Sequence, residues 1–218
     1  MPARKLPVTT AATLISEDAS WEDLHEASAR CKACDLYKTG TQTVFGEGSA
    51  QSRIMFVGEQ PGNEEDLAGK PFVGPAGRLL DQALAEAGID RGLAYVTNVV
   101  KHFKWEPRGK RRIHAKPNQM EIAACSPWLN AELALIRPEV LVCLGSTAAQ
   151  ALLGRQFRVS RQRGEWVESP LAPHVMATVH PSSILRAEED RHEQMRLFVA
   201  DLKKVAAVLS KPKVRRAG

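Results

Sequence analysis

The chain has no apolar run long enough to cross a bilayer, and its N-terminus lacks the charged-then-apolar layout of a secretory leader. A cytoplasmic protein that stays off membranes is expected. Cysteine is scarce, four in 218 residues. In a reducing compartment so few thiols point to metal ligation or burial before they point to disulfides. The GxGxxG and GxxxxGK[ST] patterns are absent, which leaves a dinucleotide or P-loop site unsupported. No internal repeat is visible. What remains is 44% hydrophobic residues, enough to bury one substantial core in one domain.

Positive charge is concentrated in one place. Lys101–Lys116 reads KHFKWEPRGKRRIHAK, with seven cations against the single acid Glu106, a local +6 beside a formal +5 for the whole chain. Lys and Arg gathered in this way neutralise phosphates and release counterions, so the segment reads as a contact surface for a polyanion. The sequence pI of about 9.1 agrees with a phosphate-rich partner. The segment also carries two histidines and a tryptophan, which a purely electrostatic patch does not need.

Apolar periodicity sets out the rest. Residues 1–18 are small and polar, and a mobile arm is expected; 19–210 form one domain, and 211–218 a basic, solvated tail. Ser20 and Asp23 have capping-box spacing, which starts a helix. Arg53–Val57, Tyr95–Val100, Val140–Leu144 and His174–Val179 are short apolar runs of the kind found in buried parallel strands. Helices are expected over Pro75–Ala87 with Gly88 as the stop, Asn118–Ile136, Ser146–Leu153 and Arg191–Leu209. The basic segment has no apolar periodicity and reads as a loop, and Arg155–Pro170 as a hairpin or irregular excursion. Strands alternating with helices predict a three-layer α/β/α domain around a mostly parallel, four-stranded sheet.

In such a sheet the ligand crevice lies outside the carboxyl ends of the strands. Four segments follow those ends: Gly58–Gly74, Asn98–Lys116, Gly145–Thr147 and His180–Ser183. Gly58-Glu-Gln-Pro-Gly62 opens a glycine- and proline-rich loop longer than most strand-to-helix connections, and Phe72 within it needs burial or a stacking partner. The Asn98 amide can donate and accept in one plane, as a pyrimidine edge requires. His180-Pro-Ser182 faces the same edge. Cys31 and Cys34 form a close pair, whereas Cys125 and Cys143 are distant singles; on spacing alone a zinc ion and a [4Fe–4S] cluster both remain open.

Taken together, from about Trp21 to Leu209, these pieces resemble the uracil-DNA glycosylase superfamily. Gly58-Glu-Gln-Pro-Gly62 with Phe72 looks like its first signature and His180-Pro-Ser182 like its second. The cysteine order is similar to the iron–sulfur branch, families four and five. The insertion Lys110-Arg-Arg-Ile-His114 resembles the X class, whose members excise uracil and stay joined to DNA through the loop histidine. The resemblance implies that Phe72 stacks on an extruded uracil, Asn98 reads its edge, and His180 hydrogen-bonds the carbonyl that gathers charge. Glu59 and Gln60 would line the sugar side, with Gly58 and Ser182 completing the pocket. His114 would attack C1′, and Lys110, Arg111 and Arg112 would hold phosphates. Cys31, Cys34, Cys125 and Cys143 would carry a structural [4Fe–4S] cluster. The implied partner is uracil-containing DNA. The lack of an obvious aromatic wedge favours single strands, free uracil is the product, and a monomer is expected. Asn63 departs from the family, which often has an acid there.

Overall fold

A computed structural model describes residues 10–210. From the N-terminus the elements are α1 (Trp21–Ala29), β1 (Ile54–Gly58), α2 (Asn63–Ala68), α3 (Pro75–Ala87), β2 (Ala94–Asn98), β3 (Trp105–Arg108) and β4 (Arg111–His114). They continue with α4 (Gln119–Ile136), β5 (Val140–Leu144), α5 (Ser146–Leu153), α6 (Val159–Gln162), β6 (Trp166–Val167), β7 (His174–Thr178), α7 (Pro181–Leu185) and α8 (Arg191–Leu209). The main sheet runs β2-β1-β5-β7-β6. Its first four strands are parallel, and every residue of β1, β2 and β5 is buried, as near-continuous apolar runs require.

Alternation along each strand divides the core between two faces. Ile54, Phe56, Val96 and Val142 pack with α3 and α8 through Leu80, Leu84, Phe198 and Leu202. Met55, Val57, Tyr95 and Leu141 face the other way, toward Trp128 and Leu129 of α4 and Ala148 of α5. The layers are therefore α/β/α, as expected. Ser20 and Asp23 form the anticipated capping box, and Asn118 with Glu121 forms another at α4, which ends where Arg137 turns left-handed before Pro138. Among the described residues no helix is long and apolar enough to cross a membrane.

The structure corrects the expected layout in several places. The sheet has five strands, not four, because β6 from the Arg155–Pro170 excursion pairs antiparallel with β7. Two residues are too few to show alternation in sequence. The segment expected as a basic loop contains the β3–β4 hairpin, whose turn uses Gly109 at φ 60°, the sign that a two-residue hairpin turn needs at its first position. Its outer face is solvated, so no apolar period marked it. The long loop after β1 holds α2, braced by the Glu65 carboxylate, which accepts from Gly62 N and Gly74 N at 3.1 and 2.9 Å. The arm expected over residues 1–18 lies outside the described residues up to position 9. Ala11–Leu14 is a 3-10 turn packed on α4, with Ala11 fully buried. The basic tail also lies outside them.

Candidate active site

Four strand ends converge on a cleft of about 930 Å³ at the carboxyl edge of the sheet. Its walls include Glu59, Gln60, Phe72, Asn98, His114, His180 and Ser182, which the sequence placed on three separate segments, and Gly145–Thr147 of the fourth. Gly58 closes the end of β1 beneath them. A Cβ there would lie 2.4 Å from Asn98 Oδ1 and 2.8 Å from Phe72 Cζ, so only glycine lets the amide and the ring meet. Phe72 is held at φ 58°, a left-handed conformation uncommon for a bulky residue, and its ring centroid lies 6.2 Å from that of His180.

The histidine after β7 has a defined proton. Ser182 N donates to His180 Nδ1 at 3.2 Å, and Ser182 Oγ lies 2.8 Å from the same atom. A ring nitrogen that accepts from a backbone N–H carries the lone pair, so the proton sits on Nε2. Burial, then the charges of Arg186 and His114, push the His180 pKa down to about 4. At neutral pH this residue is therefore an uncharged hydrogen-bond donor at one nitrogen.

Glu59 lies between two partners. Thr147 Oγ1, in the first turn of α5, donates a short hydrogen bond to Oε2, and His114 Nε2 lies 3.3 Å from Oε1. Thr147 belongs to the Gly145–Thr147 segment that sequence reasoning put on the correct edge without giving it a role.

His114 is at the end of β4, and β3–β4 is seated by two devices. At the root, Gln60 Nε2 donates to Lys104 O and Ala115 O, and Lys104 N donates to Gln60 Oε1, at 3.0 to 3.1 Å. Gln60 is thus a clamp on the hairpin as well as a cleft residue. Further out, Arg112 Nε donates to Asn63 Oδ1 at 2.7 Å, and Nη1 to Asp66 Oδ2 at 2.6 Å and Thr41 Oγ1 at 3.2 Å. Its guanidinium also stacks at 5.4 Å from Phe103 and 5.6 Å from Trp105. In the β4 alternation Arg112 and His114 share one face, so the anchor and the imidazole point the same way.

That geometry revises the basic stripe. Of its seven cations, Lys101 is buried against Glu132, Lys104 pairs with Glu121, and Arg112 pairs with the fully buried Asp66. Arg112 is therefore an internal anchor in place of the expected phosphate contact, and Asn63 is one of its acceptors. Arg108, Lys110, Arg111 and Lys116 remain exposed, with no acid partner among the described residues. A sequence count of charge could not separate these two populations.

The cysteines divide as well. Cys31 and Cys34 flank the turn after α1. Trp128 Nε1 donates to Cys31 Sγ at 3.3 Å, and Lys101 N to Cys125 Sγ at 3.2 Å. Burial pushes the Cys125 thiol up to about 12, with Cys34 and Cys31 adding to the rise. Cys143, within β5, is also raised to about 12, but by burial alone. The structure thus brings three of the four thiols together and sets one apart. Among the described residues no three His, Cys, Asp or Glu side chains form a compact group for a single metal ion.

The uracil DNA glycosylase superfamily model matches residues 45–203. Similar proteins include a type-4 uracil-DNA glycosylase of Thermotoga maritima, 38% identical over 87% of this chain and 95% of the relative. One from Archaeoglobus fulgidus is 38% identical over 88% of this chain and 94% of its own. A type-5 uracil-DNA glycosylase of Thermus thermophilus is 30% identical over 79% and 83%.

Proposed function

The chain belongs to the uracil-DNA glycosylase superfamily, and from that premise we propose that it excises uracil from DNA and is then captured on the abasic sugar through His114. The observation that supports capture is the position of His114. The hairpin holds it at the mouth of the cleft that also contains Glu59, Asn98 and His180.

A base inside a stack is out of reach, so the nucleotide flips into the cleft, with Phe72 as its stacking surface and the Asn98 amide on its edge. The C1′–N1 electron pair leaves with uracil, and negative charge grows on its carbonyl. His180 Nε2–H, already protonated and uncharged, donates there. The Glu59 carboxylate, oriented by Thr147, faces the cationic sugar. In other glycosylases water completes the reaction. An imidazole fixed beside the sugar competes through effective molarity, which in oriented pairs exceeds roughly 10⁵ M. Its lone pair forms the bond to C1′, and its N–H proton passes to Glu59. The product lacks a good leaving group at neutral pH, so turnover stops. The exposed Arg108, Lys110, Arg111 and Lys116 line the approach for phosphates, and single-stranded DNA is the preferred substrate. A [4Fe–4S] cluster would be held by Cys31, Cys34 and Cys125, where it would supply a rigid cross-link between α4 and the turn after α1.

The test is a denaturing gel of protein mixed with a uracil-containing oligonucleotide. A band carrying both molecules is expected. His114→Ala should lose the band and release abasic product in excess of enzyme. A persisting band in His114→Ala would mean that another residue is the nucleophile.

A further inference from the structure

Four ligand atoms must face one volume to hold a cluster, and Cys143 is set within β5, with no hydrogen bond or ion pair, among the described residues, to the segments that carry the other thiols. In β5 it is in register with Val57 of β1, which in turn faces Thr97 of β2. Lys101 Nζ reaches Thr97 Oγ1 at 2.5 Å, and the main-chain N of the same residue donates to Cys125 Sγ. The thiol pocket therefore hangs from β2 and its continuation. Cys143 is two strand spacings away from Thr97, about 9.5 Å, with Val57 between.

His102 follows Lys101, and it is 5% exposed. Its Nε2 is 3.2 Å from Thr43 Oγ1. Thr43 Oγ1 donates to Ser28 O at 2.8 Å, and the same carbonyl accepts from Cys31 N at 3.0 Å. The imidazole thus bridges the foot of the Cys31–Cys34 turn and the residue bonded to Cys125. On α4, Trp128 lies one turn from Cys125 and holds Cys31 Sγ, which closes the ring of contacts. The proton position follows from the same atoms. A threonine hydroxyl has one hydrogen, and Thr43 spends it on Ser28 O. Toward His102 it can only accept, so Nε2 carries the ring proton and Nδ1 the lone pair. Among the described residues Nδ1 makes no hydrogen bond. A metal-binding imidazole is commonly oriented by this arrangement, with the second nitrogen donating to a polar neighbour.

We propose that the fourth cluster ligand is His102 through Nδ1, not the Cys143 thiol, so that three thiolates and one neutral imidazole hold the iron. The inference rests on the cluster reading given above. Replacing a thiolate by an imidazole removes one negative ligand, and that raises the reduction potential of an iron–sulfur centre.

The full-length protein carries the test, with iron and sulfide counted in the wild type, His102→Cys, His102→Ala and Cys143→Ser. Pulsed electron paramagnetic resonance of the reduced wild type should show a coupled nitrogen that changes with ¹⁵N-histidine labelling. His102→Cys should keep iron, lose that coupling and shift to a lower potential. Cys143→Ser should keep both iron and coupling, and His102→Ala should bind less iron. Iron lost in Cys143→Ser, or a His102→Cys spectrum and potential equal to those of the wild type, would overturn the assignment. A wild type without iron and sulfide would overturn the cluster reading, and this assignment with it.

Discussion

Arg112→Ala should separate excision from capture. Arg112 makes two short charge-assisted hydrogen bonds, to Asp66 and Asn63, a longer one to Thr41, and two aromatic stacks. Charge-assisted bonds contribute about 1.5–3 kcal/mol each when shielded. With the side chain one-fifth exposed (20%), and with Asp66 retaining Thr41 N and Thr41 Oγ1, a net loss of about 2–3 kcal/mol in seating the hairpin is expected. At about 1.4 kcal/mol per decade, that lowers the seated population roughly 30- to 140-fold where seating has no surplus. Gln60 still clamps the root, so the hairpin loosens without detaching. The rate of adduct formation on a denaturing gel should fall about 10- to 100-fold, with excision itself within about threefold of wild type, because Glu59, Asn98 and His180 do not touch Arg112. Free abasic product should appear where only adduct is expected of the wild type. Adduct formation at the wild-type rate would refute the anchor. Excision falling in step with capture would show that Arg112 supports the whole cleft and not the hairpin alone.

Two further predictions concern buried ionisable groups. His180 has a folded pKa of about 4 against an ordinary value of 6.5. Between these values the unfolded chain binds a proton that the folded one excludes, so stability falls as pH drops from 6.5 to 4. The loss is at most about 3 kcal/mol, less where cleft water screens the ring. Urea melts at pH 7 and 4.5 should show a smaller difference for His180→Gln than for wild type. Lys101→Met leaves the fully buried Glu132 carboxylate without its cation. A cost of about 3–5 kcal/mol is expected in urea melts, with about half or more recovered in Lys101→Met/Glu132→Gln, which keeps acceptors for Tyr95 and Thr97.

The parts of the fold that sequence showed are those where burial repeats. The four parallel strands are mostly apolar runs, α3 carries its stripe and its Gly88 stop, and α4 its Asn118–Glu121 capping box, so burial and hydrogen-bonding chemistry agree. The hairpin, α2 and β6 escaped for a shared reason. Each is short and is held by contacts with distant segments: Arg112 with Asp66 and Gln60 with Lys104 for the hairpin, Glu65 with Gly74 for α2, and pairing with β7 for β6. The cleft residues Glu59, Asn98, His114 and His180 were legible because each follows a strand that enters one edge, a rule of chain connection and not of contact.

By itself the amino-acid sequence determined the layered architecture, the edge on which the chemistry gathers, and the residue types available there. Tertiary structure decided which of them are free to act. Seven cations of one segment divide into three that are spent internally and four that face solvent. Four cysteines divide into three that meet and one that is enclosed within the sheet. His102, which no motif singled out, meets Thr43 at the foot of the Cys31–Cys34 turn. The reason is physical: a charge or a lone pair is defined by its partners, and those partners, Asp66 for Arg112 and Thr43 for His102, are brought from distant parts of the chain only by folding.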